Sequence, residues 1–194
     1  MNHLRSLFNL ILNFDHSNMA AIDRNHNLFL MGALLSKKPE NVLELGIGTG
    51  YVTWSLIFGI AYNQKGKLTS VDNLLDWKGE EPEGIQSIRD AGVHVIAPLG
   101  EKEFLDQCEN DTYDFIISDA DHLNADSWID EYFRVAIKDS FLFFHDTNQA
   151  QRYPNLLNIE KRIKELRFPY FHFTENSRPD ENCHRGWLFV INRK

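Results

Sequence analysis

An α/β fold built on a mostly parallel sheet is predicted for this chain by three observations. Short apolar runs alternate with longer amphipathic segments. The first run ends in a glycine cluster that opens a helix. Two strand-like runs near the C-terminus have no helix between them. Strands alternating with helices imply βαβ units and a parallel sheet covered by helices on both faces, a Rossmann-like three-layer arrangement. Two runs joined without a crossover helix must pair antiparallel, so one strand near an edge is expected to be reversed.

The elements follow in order. Residues 1–36 read as extra helices ahead of the first strand, forming an extension or lid, and 40–194 as the core of one domain. Asn41-Val42-Leu43-Glu44-Leu45 runs into the glycines. Lys67 to Val71 ends at Asp72, Val93 to Ala97 at Pro98, Asp114 to Ser118 at Asp119, and Ser140 to Phe144 at His145-Asp146. Each run is short, rich in β-branched or aromatic residues and closed by turn residues or acids, the pattern of a buried strand. The spacers read as helices: Tyr51 to Tyr62, Pro82 to Ala91 with Gly92 as C-cap, Glu101 to Cys108, Asn124 to Ile137, and Pro154 to Arg167 with proline near its start. Tyr170 to Thr174 and Trp187 to Ile191 are the terminal pair, joined by the polar stretch 175–186.

Composition narrows the function. With 194 residues, 43% hydrophobic and 25% charged, the chain is an ordinary globular domain and neither disordered nor fibrous. The 28 acids outnumber 20 Lys and Arg, a net charge of −8 without a basic run, which disfavours nucleic acid as a partner. Two cysteines, Cys108 and Cys183, are too few for a secreted disulfide framework, so a reduced, cytoplasmic setting is expected. No apolar run reaches the ~18 residues of a membrane span. The stretch Leu7 to Leu12 is broken by Asn9 and followed by no small-residue cleavage site, so it reads as an amphipathic helix and a candidate homodimer surface, not a signal peptide.

The glycine loop carries the first chemical signal. In Gly46-Ile47-Gly48-Thr49-Gly50 the third glycine comes one place too early for the dinucleotide fingerprint, and no Gly-Lys-Ser/Thr follows. Asp72 closes the next strand, where a carboxylate can accept both hydroxyls of a ribose. Strand, glycine loop, helix and a following acid point to nucleoside binding. The plainer alternative is that the glycines shape a tight turn and Asp72 caps a helix.

Val42 to Gly50 resembles the first motif of the class I S-adenosylmethionine-dependent methyltransferases. Val71-Asp72 resembles their second, and Asp114 to Asp119 the strand ending in an acid beside the methionine moiety. The resemblance spans about residues 40–194 and implies a seven-stranded sheet with the last strand reversed. It further implies that Glu44, Gly46, Gly48, Thr49, Gly50 and Asp119 lie against the methionine part. Asp72 with Asn73 would lie at the ribose, and Gly100-Glu101 would border the adenine. Tyr51 either faces the sulfonium through a cation–π contact or packs in the core.

Two strands end in acids beside histidines: Asp119-Ala120-Asp121-His122 and His145-Asp146-Thr147-Asn148. If those strands are neighbours, Asp119 and Asp146 can grip one hard cation, with Mg²⁺, Mn²⁺ or Ca²⁺ favoured over a structural zinc. The constellation resembles the metal-dependent O-methyltransferases of the catechol O-methyltransferase type. It is closer still to the branch containing macrocin O-methyltransferase and the cephalosporin-hydroxylase-type enzymes. The resemblance makes Asp119 and Asp146 metal ligands and His122 a general base, with His145 a second candidate for a chemical role. Thr147 stands where the catechol type has Asn, and His145 where the other branch has an acid, so the third ligand is open.

The expected activity is O-methylation of a small-molecule hydroxyl. A metal-independent methyltransferase with a histidine base, an inactive S-adenosylmethionine-binding protein and a metal-dependent phosphohydrolase are the alternatives; the last leaves the glycine loop and Asp72 without a role. Trp77 at the cofactor rim, Asp15 to Asn18 as a lid or helix cap, and Cys183-His184-Arg185 at the acceptor mouth or in a surface turn complete the candidates.

Overall fold

The computed structural model describes residues 24–75, 78–79, 84–148, 153–174 and 185–194. Trp77, Asp15 to Asn18, Cys183-His184 and the apolar N-terminal stretch proposed as a dimer surface lie outside the described residues.

Seven strands form one sheet: β1 (Asn41–Leu45), β2 (Lys67–Val71), β3 (His94–Ile96), β4 (Tyr113–Ser118), β5 (Ala136–His145), β6 (Tyr170–Phe173) and β7 (Trp187–Ile191). Their spatial order is β3-β2-β1-β4-β5-β7-β6. The first five pair parallel; β7 runs antiparallel to both β5 and β6, so the reversed strand sits one place in from the edge. Around them lie α1 (Arg24–Lys37), α2 (Tyr51–Asn63), α3 (Ile85–Asp90), α4 (Glu101–Gln107), α5 (Ile129–Val135) and α6 (Leu157–Leu166).

Pleating sends alternate strand residues to opposite faces. Val42, Phe115, Ile117 and Phe143 pack with Leu30 and Leu34 of α1 and Leu56 of α2. Leu43, Ile116, Leu142 and Phe144 pack with Leu105 of α4, Tyr132 and Phe133 of α5 and Ile159 and Ile163 of α6. The N-terminal extension therefore contributes α1 to the core itself. Among the described residues no helix is long and apolar enough to cross a membrane.

Three expected helices are shorter than the sequence implied; of Pro82 to Ala91, the described residues are helical only over α3, Ile85–Asp90. Asn124 to Ile137 becomes a 3-10 turn, Ala125–Trp128, followed by α5, because Ala136 and Ile137 already belong to β5. Ala136 pairs with Tyr113, and the Asn192 amide donates to the Ala136 and Ile137 carbonyls at 3.2 and 2.9 Å. Cross-strand bonds thus outcompete the last helical turn. β5 then shifts register between Tyr113 and Phe115, with Asp139 at φ 62°, which disguised its first half in the sequence. Pro154 to Leu156 is likewise a 3-10 turn ahead of α6. β3 is trimmed to His94–Ile96, the three residues that pair with Thr69–Val71.

The chain leaves β1 to build β2 and β3 on one side, then returns to lay β4 on the other. This reversal beside β1 opens a crevice at the carboxyl ends of β1 and β4, the usual ligand position in such sheets.

Candidate active site

A cavity of about 590 Å³ opens at that crevice. The loop after β1 forms one wall. Gly46 N–H donates to the Val71 carbonyl at 2.8 Å, and Asp119 N–H donates to Leu45 at 2.8 Å, so β2 and β4 grip the loop from both sides. Gly46, Gly48, Thr49 and Tyr51 line the cavity, with Asp72 and Asn73 beside them. Asp72 shapes the loop as well as facing the cavity. Its Oδ2 accepts the Ile47 and Gly48 N–H groups at 2.8 and 3.3 Å, and its Oδ1 accepts Leu74 N–H at 2.7 Å.

Glu44, Gly50, Gly100 and Glu101 are not among the residues lining the cavity. Glu44 lies fully buried beneath the loop, accepting hydrogen bonds from the hydroxyls of Thr53 and Ser70. Burial outweighs those two bonds and pushes its carboxyl up to about 8. Gly50 caps α2 in the left-handed region at φ 77°. Gly100 precedes α4, whose first residue, Glu101, is buried and accepts from Tyr132, Ser118 and the Asp121 N–H. Burial again dominates and raises Glu101 to about 7.

The opposite wall gathers Asp119, His122, His145 and Asp146, whose ligand-capable atoms all lie within 4.8 Å of one another. β4 and β5 are neighbours, as the two-acid expectation requires. Asp119 follows β4 directly. His145 is the last residue of β5, and Asp146 turns away at φ 57°, in the left-handed region, so consecutive residues present both side chains to one cluster. His122 Nε2 lies 3.2 Å from Asp119 Oδ1 and 3.1 Å from Asp146 Oδ2. His145 Nδ1 lies 2.9 Å from Asp119 Oδ1 and 3.5 Å from Asp146 Oδ1.

These contacts set the charges. Burial opposes ionisation of Asp119 and Asp146, but the charge on His145 and hydrogen bonding to the imidazoles hold Asp119 well below the usual carboxylate range and lower Asp146 as well. Burial likewise opposes charge on His122, yet its hydrogen bonds to Asp119 and Asp146 prevail and push it up to about 11. His145 moves upward for the same reason, burial being outweighed by the two carboxylate charges. Two carboxylates and two imidazoles, converging, with His145 and Asp146 buried and Asp119 and His122 half-buried, suit a divalent cation; without one, the imidazoles balance the acids.

Several participants carried no local signal in the sequence. Tyr153 stacks on His122 with ring centroids 4.8 Å apart, and the Asn155 amide donates to the His122 carbonyl at 2.9 Å. His26 of α1 packs against the His145 and Trp187 rings. Arg185, by contrast, is among the sequence candidates for the acceptor mouth or a surface turn; it is buried and lines the cavity. Only the pairing of Tyr153 with Pro154 at a helix start could have marked that segment. Thr147, at the position left open for a third ligand, lies with Oγ1 3.1 Å from His172 Nε2.

No protein-family model matches the chain. The curated "Probable caffeoyl-CoA O-methyltransferase 3" of Dictyostelium discoideum is 27% identical over 154 residues, covering 70% of this chain. The chain spans 57% of that relative's length. Among solved structures, an O-methyltransferase from Bacillus cereus in complex with SAH superposes with a TM-score of 0.66 at 16% identity, covering 100% of this chain and 91% of its own. The O-methyltransferase TomG from Streptomyces achromogenes, involved in tomaymycin synthesis and solved with SAM, gives 0.68 at 14% identity, with the same 100% and 91% coverage. A methyltransferase from Geobacter sulfurreducens gives 0.68 at 15% identity over 97% of this chain and 89% of its own. At these identities the likeness concerns the backbone, and the chain has the Rossmann-like fold of these methyltransferases.

Proposed function

We propose that this protein is an S-adenosylmethionine-dependent O-methyltransferase acting on the hydroxyl of a small molecule, assisted by a divalent cation. One observation carries the reading: a single cavity is bounded on one side by the glycine loop with Asp72 and on the other by the Asp119–His122–His145–Asp146 cluster. A donor seat and a proton-handling, cation-binding seat thus face each other.

The loop and Asp72 bind the donor, with Asp72 positioned for the ribose and Asn73 beside it. Asp119 stands between the two seats. Glu44, Gly50, Gly100 and Glu101 act from beneath, by fixing the loop and the start of α4. The donor supplies a methyl group on a sulfonium, transferred by in-line displacement to the acceptor oxygen and leaving S-adenosylhomocysteine. Asp119 and Asp146 are the residues that would hold the cation, which supplies the charge that makes a hydroxyl more acidic. His122 Nε2 takes the acceptor's proton. With both carboxylates uncompensated, His122 keeps its own proton, because its pKa stands at about 11; it becomes a base when their charge is offset. Holding acceptor and donor in one crevice removes much of the remaining barrier. A cytoplasmic location fits the low cysteine count and a diffusible acceptor.

Calorimetry with S-adenosylhomocysteine, followed by turnover with a panel of hydroxylated acceptors, tests the reading. Binding plus formation of S-adenosylhomocysteine is expected. No binding at concentrations far above the micromolar range would refute it.

A further inference from the structure

We propose that His145 is a nitrogen ligand which, with Asp119 and Asp146, makes the site select a borderline divalent transition-metal ion of the Co²⁺ or Zn²⁺ kind over Mg²⁺. The inference deepens the proposed function and rests on its reading that the two acids hold a cation.

The distances suit coordination. Metal–ligand bonds of about 2.1 Å separate neighbouring donor atoms by about 3.0 Å in an octahedron and about 3.4 Å in a tetrahedron. His145 Nδ1 stands 2.9 Å from one carboxylate oxygen and 3.5 Å from the other, spanning both edge lengths. The ring is also fixed. Its side chain is 1% exposed and packs edge-on against Trp187 at 5.1 Å, with His26 also against it at 5.9 Å. Among the described residues its Nε2 is buried without a hydrogen-bond partner, so the ring's polar contacts there run through Nδ1 toward the acids. Thr147, the other residue flanking Asp146, has its hydroxyl beside His172 instead.

His122 differs in its surroundings. Both rings border the cavity, but the His122 side chain is 20% exposed and stacked on Tyr153, where it can handle a proton. Three protein ligands leave coordination positions for an acceptor oxygen, as an open catalytic site requires. Donor chemistry then decides the metal. Mg²⁺ favours oxygen donors and retains its waters, whereas an imidazole ligand raises affinity along the series from Mn²⁺ to Co²⁺, Ni²⁺ and Zn²⁺.

The test uses the full chain stripped of metal with a chelator, titrated calorimetrically with Mg²⁺ and Co²⁺ while the visible absorption of Co²⁺ is followed. Co²⁺ should bind at least about tenfold more tightly than Mg²⁺. His145→Asn places an oxygen near the Nδ1 position and should abolish most of that advantage; His122→Gln should keep it. Mg²⁺ binding as tightly as Co²⁺ to the unmodified chain overturns the proposal. So does a Co²⁺ advantage that survives His145→Asn or vanishes in His122→Gln. If His145→Asn fails to fold by circular dichroism, pulsed electron paramagnetic resonance of Cu²⁺ bound to the unmodified chain decides: absence of directly coupled nitrogen overturns it. Binding of S-adenosylhomocysteine without any Co²⁺ preference would sink this inference alone. Co²⁺ held through His145 without S-adenosylhomocysteine binding would sink the proposed function and leave the ligand assignment standing.

Discussion

Two glycines of the same loop should respond very differently to a methyl group. Gly46 has φ +92°, and a Cβ there would stand 2.3 Å from the Asp119 carbonyl oxygen and 2.7 Å from its carbon. Ordinary contact begins near 3.4 Å, so the loop and the end of β4 would have to part by roughly 1 Å. The Asp119 N–H bond to Leu45, now 2.8 Å, resists that separation. Overpacking of this kind costs about 1–3 kcal/mol, the left-handed backbone about 1–2, and the strained hydrogen bond up to about 1. Gly46→Ala should therefore destabilise the fold by about 3–5 kcal/mol. Gly48, at φ +50°, has nothing among the described residues within 4 Å of its would-be Cβ. Gly48→Ala should cost only the backbone share, about 1–2 kcal/mol. For a domain of this size, the melting temperature should fall by about 6–20 °C for Gly46→Ala and about 2–8 °C for Gly48→Ala. Thermal melts followed by circular dichroism give the comparison. Because Asp119 borders both seats of the cavity, Gly46→Ala should also weaken S-adenosylhomocysteine binding more than Gly48→Ala does. Equal melting temperatures, or a larger loss at Gly48, would refute the close-approach argument.

Glu44 gives a pH-dependent prediction. Its carboxyl is raised from 4.5 to about 8 in the fold, so between those values the folded chain keeps a proton that the unfolded chain releases, and stability falls as pH climbs. The whole interval corresponds to about 5 kcal/mol at most. Urea unfolding at about pH 5 and about pH 9 should show this loss in the unmodified chain and a smaller one in Glu44→Gln; an unchanged slope would count against it. Asp72→Ala should weaken S-adenosylhomocysteine affinity by about 1.5–3 kcal/mol per hydrogen bond lost and also loosen the loop, since three backbone N–H groups lose their acceptor. Calorimetry paired with a thermal melt separates the two effects, and unchanged affinity would remove Asp72 from the ribose. EDTA should stop turnover while S-adenosylhomocysteine still binds, with Asp146→Ala behaving alike; full activity in chelator would leave His122 or His145 acting without a cation.

Local chemistry marked much of this molecule in advance. Short runs rich in apolar and β-branched residues marked β1, β2 and β7 at their observed limits, because a strand buried on both faces does not need polar residues at alternate positions. The glycine loop, Asp72, Asp119 and Asp146 were visible because ligands meet such sheets at strand ends, and strand ends carry turn residues. Boundaries failed where long-range pairing ruled. The helical periodicity through Ile137 yielded to the Asn192 amide, more than fifty residues away.

The sequence by itself determined a sheet of alternating β and α elements, a reversed strand near its edge, and two acids at strand ends. Only the tertiary structure decided what those acids face. His122 and His145 are 23 residues apart in the chain, and no spacing rule joins them. They meet because β4 pairs with β5, and because Asp146 enters the left-handed region after a buried strand, turning two successive residues toward one point. The setting of His145, against the Trp187 and His26 rings, depends on β7 and α1, which reach it from opposite ends of the chain. In the sequence Glu44 carries only the expectation, from the resemblance, that it lies against the methionine part. Folding instead seals it beneath the loop, where burial and two hydroxyls govern its charge. Local patterns encode period and turn chemistry, whereas burial and convergence arise only once strand order places distant segments side by side.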